Sequence, residues 1–105
     1  EIKIGLIQEV QIVEGADKLL QLTVEIGEEE PRTIVSGIRE HYEDPEEGDL
    51  HALVGKRVPF VTNLEPRTIR GVESNGMILA VNDKAGAGFS ILEPGDYISP
   101  GSILA

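Results

Sequence analysis

Cysteine is absent from the sequence. That removes disulfides, thiol nucleophiles and thiolate metal sites together, and it fits a reducing compartment, here read as the cytoplasm. Aromatic residues are scarce: Tyr42, Phe60, Phe89 and Tyr97 are the full set. Phe60 and Phe89 fall in apolar runs and read as core, so the stacking platforms that most single-strand binders use are nearly missing. No run approaches the roughly 20 apolar residues of a membrane span, so no membrane association is expected. Positive charge is short as well, with 9 Lys+Arg against 19 Asp+Glu and a formal net charge of −10. Such a field repels phosphate and excludes non-specific wrapping of a nucleic-acid backbone. A local basic patch still acts on an anion within a Debye length of about 8 Å. His41 and His51 are not spaced as a metal pair on one element face, and neither accompanies a serine nucleophile motif. The acids Glu43, Asp44, Glu46, Glu47 and Asp49 lack the spacing of an EF-hand loop, and "GAG" at 86–88 lacks the flanks of a phosphate-binding loop. The sequence assigns no cofactor, no metal and no catalytic residue, and it reads as a non-catalytic chain.

What is present suits one compact β-rich domain. The chain has 105 residues, 40% of them hydrophobic, with Gly 12 and Pro 6 punctuating short apolar runs. It opens at Glu1, so residues 1–105 are expected to be a single domain excised from a longer chain. "EIKIGLIQEVQIV" alternates through Ile2, Ile4 and Leu6 and again through Val10 and Ile12. It predicts a long curved first strand with a bend or bulge at Gly5. "KLLQLTVEIG" places Leu20, Leu22, Val24 and Ile26 on one face and is the cleanest strand. "RTIVSG" is a third strand. Residues 39–50 are acidic and aperiodic, and read as a surface loop. "DLHALVG" predicts a short helix with Asp49 as N-cap, Leu50, Leu53 and Val54 inward, and Gly55 as the stop. "KRVPFVTN" is a fourth strand whose Pro59 calls for an edge or a bulge. "MILAV" is a fifth strand, "NDKAGAG" a turn, and "FSIL" and "YISPGSIL" form a closing extension. This all-β order, three strands, a short helix between strands 3 and 4, two strands and a C-terminal extension, fits the five-stranded Greek-key barrel of the OB-fold, with a small SH3-like barrel as the competitor. The OB-fold builds its ligand face from strands 2 and 3 and the loops joining strands 1–2 and 4–5. Here those loops are residues 13–18 and 63–76.

The stretch "LEPRTIRGVESNGM" (64–77), which runs through the second of these loops to the first residue of the fifth strand, is rich in arginine and hydrogen-bonding groups. Arg67 and Arg70 suit a phosphate or a base face; each also has Glu65 and Glu73 near enough in sequence for an internal pair. Ser74 and Asn75 suit a ribose 2′-hydroxyl, or else local bonds to turn backbone. Met77 reads by default as a core thioether. Lys18 stands at the start of strand 2, where it faces the ligand or simply water beside Asp17. Arg39 is the remaining cation close to this surface.

The segments "VEGADKLLQLTVEIG", "RTIVSGIR", "LVGKRV", "NLEPRTIRGVESNGMILA" and "PGS" resemble, in order, the tRNA-binding domain appended to the C-terminus of methionyl-tRNA synthetases. The same domain occurs in stand-alone tRNA-binding proteins and in endothelial monocyte-activating polypeptide II. The resemblance implies a non-catalytic OB-fold module that forms homodimers, binds the outer corner of tRNA by shape, and serves the catalytic part of a synthetase in the same or a partner chain. Carried over by motif, the tRNA contacts are Lys18 in "ADKL", Ser36 in "VSG", and Arg67, Arg70, Ser74 and Met77 in the long loop. Two departures bear on affinity rather than fold. Gly15 stands where the family commonly has Asn, and Glu65 and Thr68 flank the "PR" dipeptide where lysines are usual. The alternative expectation is therefore a dimerisation or protein-docking module with little tRNA affinity.

Overall fold

The computed structural model describes residues 1–39, 51–82 and 89–104. The expected acidic loop from 40 onward, with His41, Tyr42, Asp49 and Leu50, and the turn at 83–88 lie outside the described residues. In chain order the strands are β1 (Ile2–Ile12), β2 (Leu20–Glu25), β3 (Arg32–Ser36), β4 (Arg57–Val61), β5 (Arg67–Ile69), β6 (Val72–Ser74), β7 (Met77–Ile78), β8 (Ala80–Asn82) and β9 (Phe89–Ile91). Five of them form an antiparallel sheet in the order β3-β2-β1-β4-β7. β7 lies beside β3, so the sheet curls into a nearly closed barrel of the OB type. Among the described residues no helix is long and apolar enough to cross a membrane.

β1 serves both halves of this barrel. Its first half pairs β4, from Ile2↔Val61 to Leu6↔Arg57, and its second half pairs β2, from Leu6↔Glu25 to Ile12↔Leu20. The register shifts between Ile7 and Glu9, so the bulge falls at Gln8 and not at Gly5 as expected. Gly5 has a different task. A Cβ there would lie 2.5 Å from Val24 Cγ1 and 2.8 Å from Phe60 Cδ2, so the glycine lets core side chains cross the bend of the strand.

The core follows the period-2 pattern. Leu20, Leu22 and Val24 of β2 are fully buried and pack with Ile7, Ile34 and Phe60. Between β3 and β4 a 3₁₀ turn spans His51–Leu53. Leu53 plugs the core, whereas Val54, expected inward, is 43% exposed. With three residues per turn, a side chain aimed inward sends its successor outward.

Pro59 is not on an edge, since β4 lies between β1 and β7. Its partner Ile4 directs its own N–H and C=O to Ser102 and Gly101, so the Ile4–Pro59 pair asks for no proline donor. On the other side the Pro59 carbonyl accepts from Leu79 N–H (3.0 Å). Leu79 also divides the expected fifth strand into β7 and β8, the latter pairing β9. The C-terminal tail runs antiparallel along β1. Ile4 N–H donates to Ser102 O (2.8 Å), Gly101 N–H to Ile4 O (2.7 Å) and Leu104 N–H to Ile2 O (2.9 Å).

Gly5→Ala is expected to destabilise the barrel by about 1–3 kcal/mol, the usual cost of overpacking. A urea midpoint lowered at constant slope is the expected readout; an unchanged midpoint would refute the crossing described for Val24 and Phe60.

Candidate nucleic-acid interface

The two loops singled out in the sequence meet on the outside of β3. Ile34 faces the barrel interior, so Val35 faces out, yet it is only 7% exposed. It is covered by Val13 and Ala16 from the β1–β2 loop and by Ile69 and Val72 from the long β4–β7 connection, with Leu19 alongside. This small second cluster joins both loops to one strand.

The long connection is more ordered than a loop. β5 and β6 pair as a hairpin, Arg67↔Ser74, Thr68↔Glu73 and Ile69↔Val72. Arg70 and Gly71 form its two-residue turn with φ of 51° and 80°, the signs of a type I′ turn. The β-branched pair Ile69 and Val72 beside a glycine was the available signal. An Asn-Gly or Asp-Gly dipeptide would have made it plain. Gly15, where the resemblance leads to an expected Asn, has φ of 78°, a conformation that both residue types accept.

Ser74 is 5% exposed. Its Oγ accepts from Val35 N–H (2.9 Å) and lies 3.4 Å from the Gly76 carbonyl, so the hydroxyl fastens the hairpin to β3. Asn75 donates its backbone N–H to Thr33 O (2.8 Å) and continues the seam. Ser36 is buried at the end of β3, paired with Leu20. Arg39 is half-buried, and its Nη1 donates to Ala16 O (2.9 Å) while its N–H donates to Lys18 O (3.2 Å). Arg39 therefore braces the β1–β2 loop.

Lys18, Arg67, Arg70 and Met77 are exposed. Among the described residues none of the three cations forms an ion pair, and the internal pairing of Arg70 with Glu65 or Glu73 is not formed. Arg67 and Met77 border a depression of about 180 Å³ with Val35, Leu64, Ile69 and Glu65. Met77, 48% exposed, is not the core thioether of the default reading. The depression offers an apolar floor with one guanidinium and one carboxylate at its rim. A neighbouring concavity of about 350 Å³ is lined by Glu28, Glu30, Glu73, Arg32 and Asn75. Acids thus border the basic groups instead of lying opposite them.

Sequence reasoning missed Arg32. Its Nε and Nη2 fork onto the Glu28 carboxylate at 2.9 and 2.8 Å. This hydrogen bonding holds the Glu28 carboxyl below its ordinary range and raises the Arg32 guanidinium further. The four-residue spacing in "EEEPR" was the only hint. Leu64, 45% exposed, was also not singled out. No group of three His, Cys, Asp or Glu is placed to hold a metal ion among the described residues.

A family model described as "Putative tRNA binding domain" matches residues 2–103. The chain is 46% identical over 102 residues to a methionine–tRNA ligase of Bacteroides fragilis, covering 97% of this chain and 14% of that protein. It is 52% identical over 86 residues to the methionine–tRNA ligase of Deinococcus radiodurans, covering 82% and 12%. The crystal structure of a MetRS related protein from Pyrococcus horikoshii superposes with a TM-score of 0.79 at 34% identity, over 96% of this chain and 85% of that one. The chain thus spans a small part of the length of the two ligases.

Ser74→Ala is expected to cost about 1–3 kcal/mol, because it leaves the buried Val35 N–H without an acceptor. Amide exchange at Val35 should rise more than at Leu22; equal changes would deny Ser74 its fastening role.

Proposed function

The chain belongs to the family of tRNA-binding domains related to the C-terminal domain of methionyl-tRNA synthetase, and from that premise we propose that it is a non-catalytic cytoplasmic module, a single domain of a longer synthetase chain or of its partner, that binds tRNA by shape and backbone. One observation carries this reading. The β1–β2 loop and the β5–β6 hairpin are fastened together over Val35, with Arg67 unpaired beside Met77 and Leu64, and with Lys18 on the loop and Arg70 at the hairpin tip exposed and unpaired. A few cations carried on fastened loops beside a shallow, mostly apolar depression suit a folded RNA whose phosphates are already in place. Tethering the module to a catalytic part raises the local concentration of tRNA there. Ser74, Asn75 and Arg39 serve this surface mainly by holding its loops, and Ser36 is buried at the end of β3.

Glu65, on the same depression as Arg67, favours the second reading, a protein-docking module with little tRNA affinity. A tRNA titration separates the two. On the order of three phosphate contacts give a log–log salt slope of about −2 to −3. Arg67→Ala is expected to weaken binding and reduce the slope by about one contact, while an exposed position leaves unfolding nearly unchanged. Affinity independent of salt, or absent at low salt, would favour docking.

The proposed module is a homodimer. The tail is bonded to β1 through its backbone, yet Tyr97 is 84% exposed and Ile103 64%, with Leu104 also outward. Two copies related by a two-fold axis would bury these groups against each other. Light scattering at micromolar concentration is expected to give twice the 11.4 kDa of one chain. A mass that stays at one chain on concentration would leave the tail as an intramolecular cover for β1.

A further inference from the structure

The hairpin segment has two ends, and one side chain holds both. Thr62 follows β4 and Asn75 follows β6. Arg32, the first residue of β3, donates from Nη1 to the Thr62 carbonyl at 2.6 Å and to the Asn75 carbonyl at 3.4 Å. Its other edge is forked onto Glu28 in the β2–β3 turn. The side chain is only 16% exposed. Nε, Nη1 and Nη2 are all engaged, so the fork that would grip a phosphate is already occupied. The geometry points to Arg32 as the positioning residue of the recognition hairpin: it clips the two ends of the 63–75 segment together, and Glu28 orients the clip.

The chemistry favours arginine at this place. Two carbonyls and a carboxylate lie around one planar group, and a lysine ammonium, a compact point charge, does not match that arrangement. Half-buried hydrogen bonds to a charged donor are also among the stronger ones. With the clip gone, Ser74 and the Val35 cluster still attach the hairpin to β3, so its root loosens while the barrel remains. The positions of Arg67 and Met77 then spread, and the entropy of ordering them falls on the binding step.

This inference rests on the tRNA-binding reading for its functional consequence, and the test separates the two. Arg32→Met and Arg32→Lys are each expected to lower tRNA affinity on the order of tenfold, the equivalent of one charged hydrogen bond. In an Arg67→Ala background the same changes should have much less effect, because the group they position is already missing. Amide exchange at Asn75 should rise in both variants while that at Leu22 stays as in the parent. Glu28→Gln, which spares the guanidinium, should show the same pattern more weakly, so that a poorly folding Arg32→Met does not decide the matter. Losses that add fully to Arg67→Ala, with the salt slope reduced by about one contact, would make Arg32 a direct phosphate ligand and overturn the proposal. Exchange rising equally at Asn75 and Leu22 would overturn it too, as a general loss of stability. If the parent protein binds no tRNA at all, the binding reading fails alone. The clip is then judged by exchange, and unchanged protection at Asn75 in both Arg32 variants overturns it.

Discussion

β1 has to belong to two half-sheets at once, and much of the molecule follows from that demand. A strand that pairs β4 along its first half and β2 along its second must bend between them. The bulge at Gln8 supplies the bend, and Gly5 leaves room for Val24 and Phe60 to meet across it. The bend also ends the β2 ladder at Leu6, so the first residues of β1 keep an open edge, and the tail fills it. At the opposite end of the sheet the same curvature brings β7 around to β3. Little regular ladder remains at this closing seam. Ser74 Oγ and the Asn75 amide bond β3 there instead.

The hairpin that carries Arg67 and Arg70 grows out of this seam. Side-chain chemistry around it goes largely into holding loops: Ser74 to Val35, Arg39 to Ala16, and Arg32 to Thr62, Asn75 and Glu28. Lys3 and Lys56 form ion pairs with Glu1 and Glu93. Among the described residues this leaves Lys18, Arg67 and Arg70 as the exposed cations without an ion pair, Arg57 being part-buried in β4. A surface with so few free charges cannot grip an unstructured strand tightly by electrostatics. Pre-organisation of those few is therefore worth more than their number.

The sequence was legible wherever one physical signal acted alone. The alternation Leu20, Leu22, Val24 defined a strand, and the strand order led to the OB barrel and to the two loops that meet over β3. It was less legible where a local signal competed with a tertiary one. Gly5 looks the same whether it makes a bulge or a close contact, and only the packed core distinguishes them. Pro59 reads as an edge residue until the pairing of Ile4 with the tail is known, a contact more than 90 residues away in the chain. Met77 is apolar at the head of a strand and reads as core, but β7 starts at the rim of the barrel, where that position faces out. Ser74 and Arg32 were ambiguous for a further reason. Their partners are backbone groups on other strands, and a sequence does not display those.

Arg70 shows the same competition at one residue. It is the one described non-glycine residue with positive φ, at the first turn position of a type I′ hairpin. Asn fits that position with little strain, whereas a long side chain there costs about 1 kcal/mol by the handedness of L-residues. Nothing in the fold offsets the cost, since the guanidinium has no ion-pair partner among the described residues and the side chain is exposed. Ile69, Val72 and Ser74 already hold the hairpin in place, so an arginine is not needed to close the turn. A residue that breaks a local rule without improving packing is expected where a surface serves something outside the chain. At the tip of this hairpin the group presented outward is a planar cation, suited to an anionic, ordered partner.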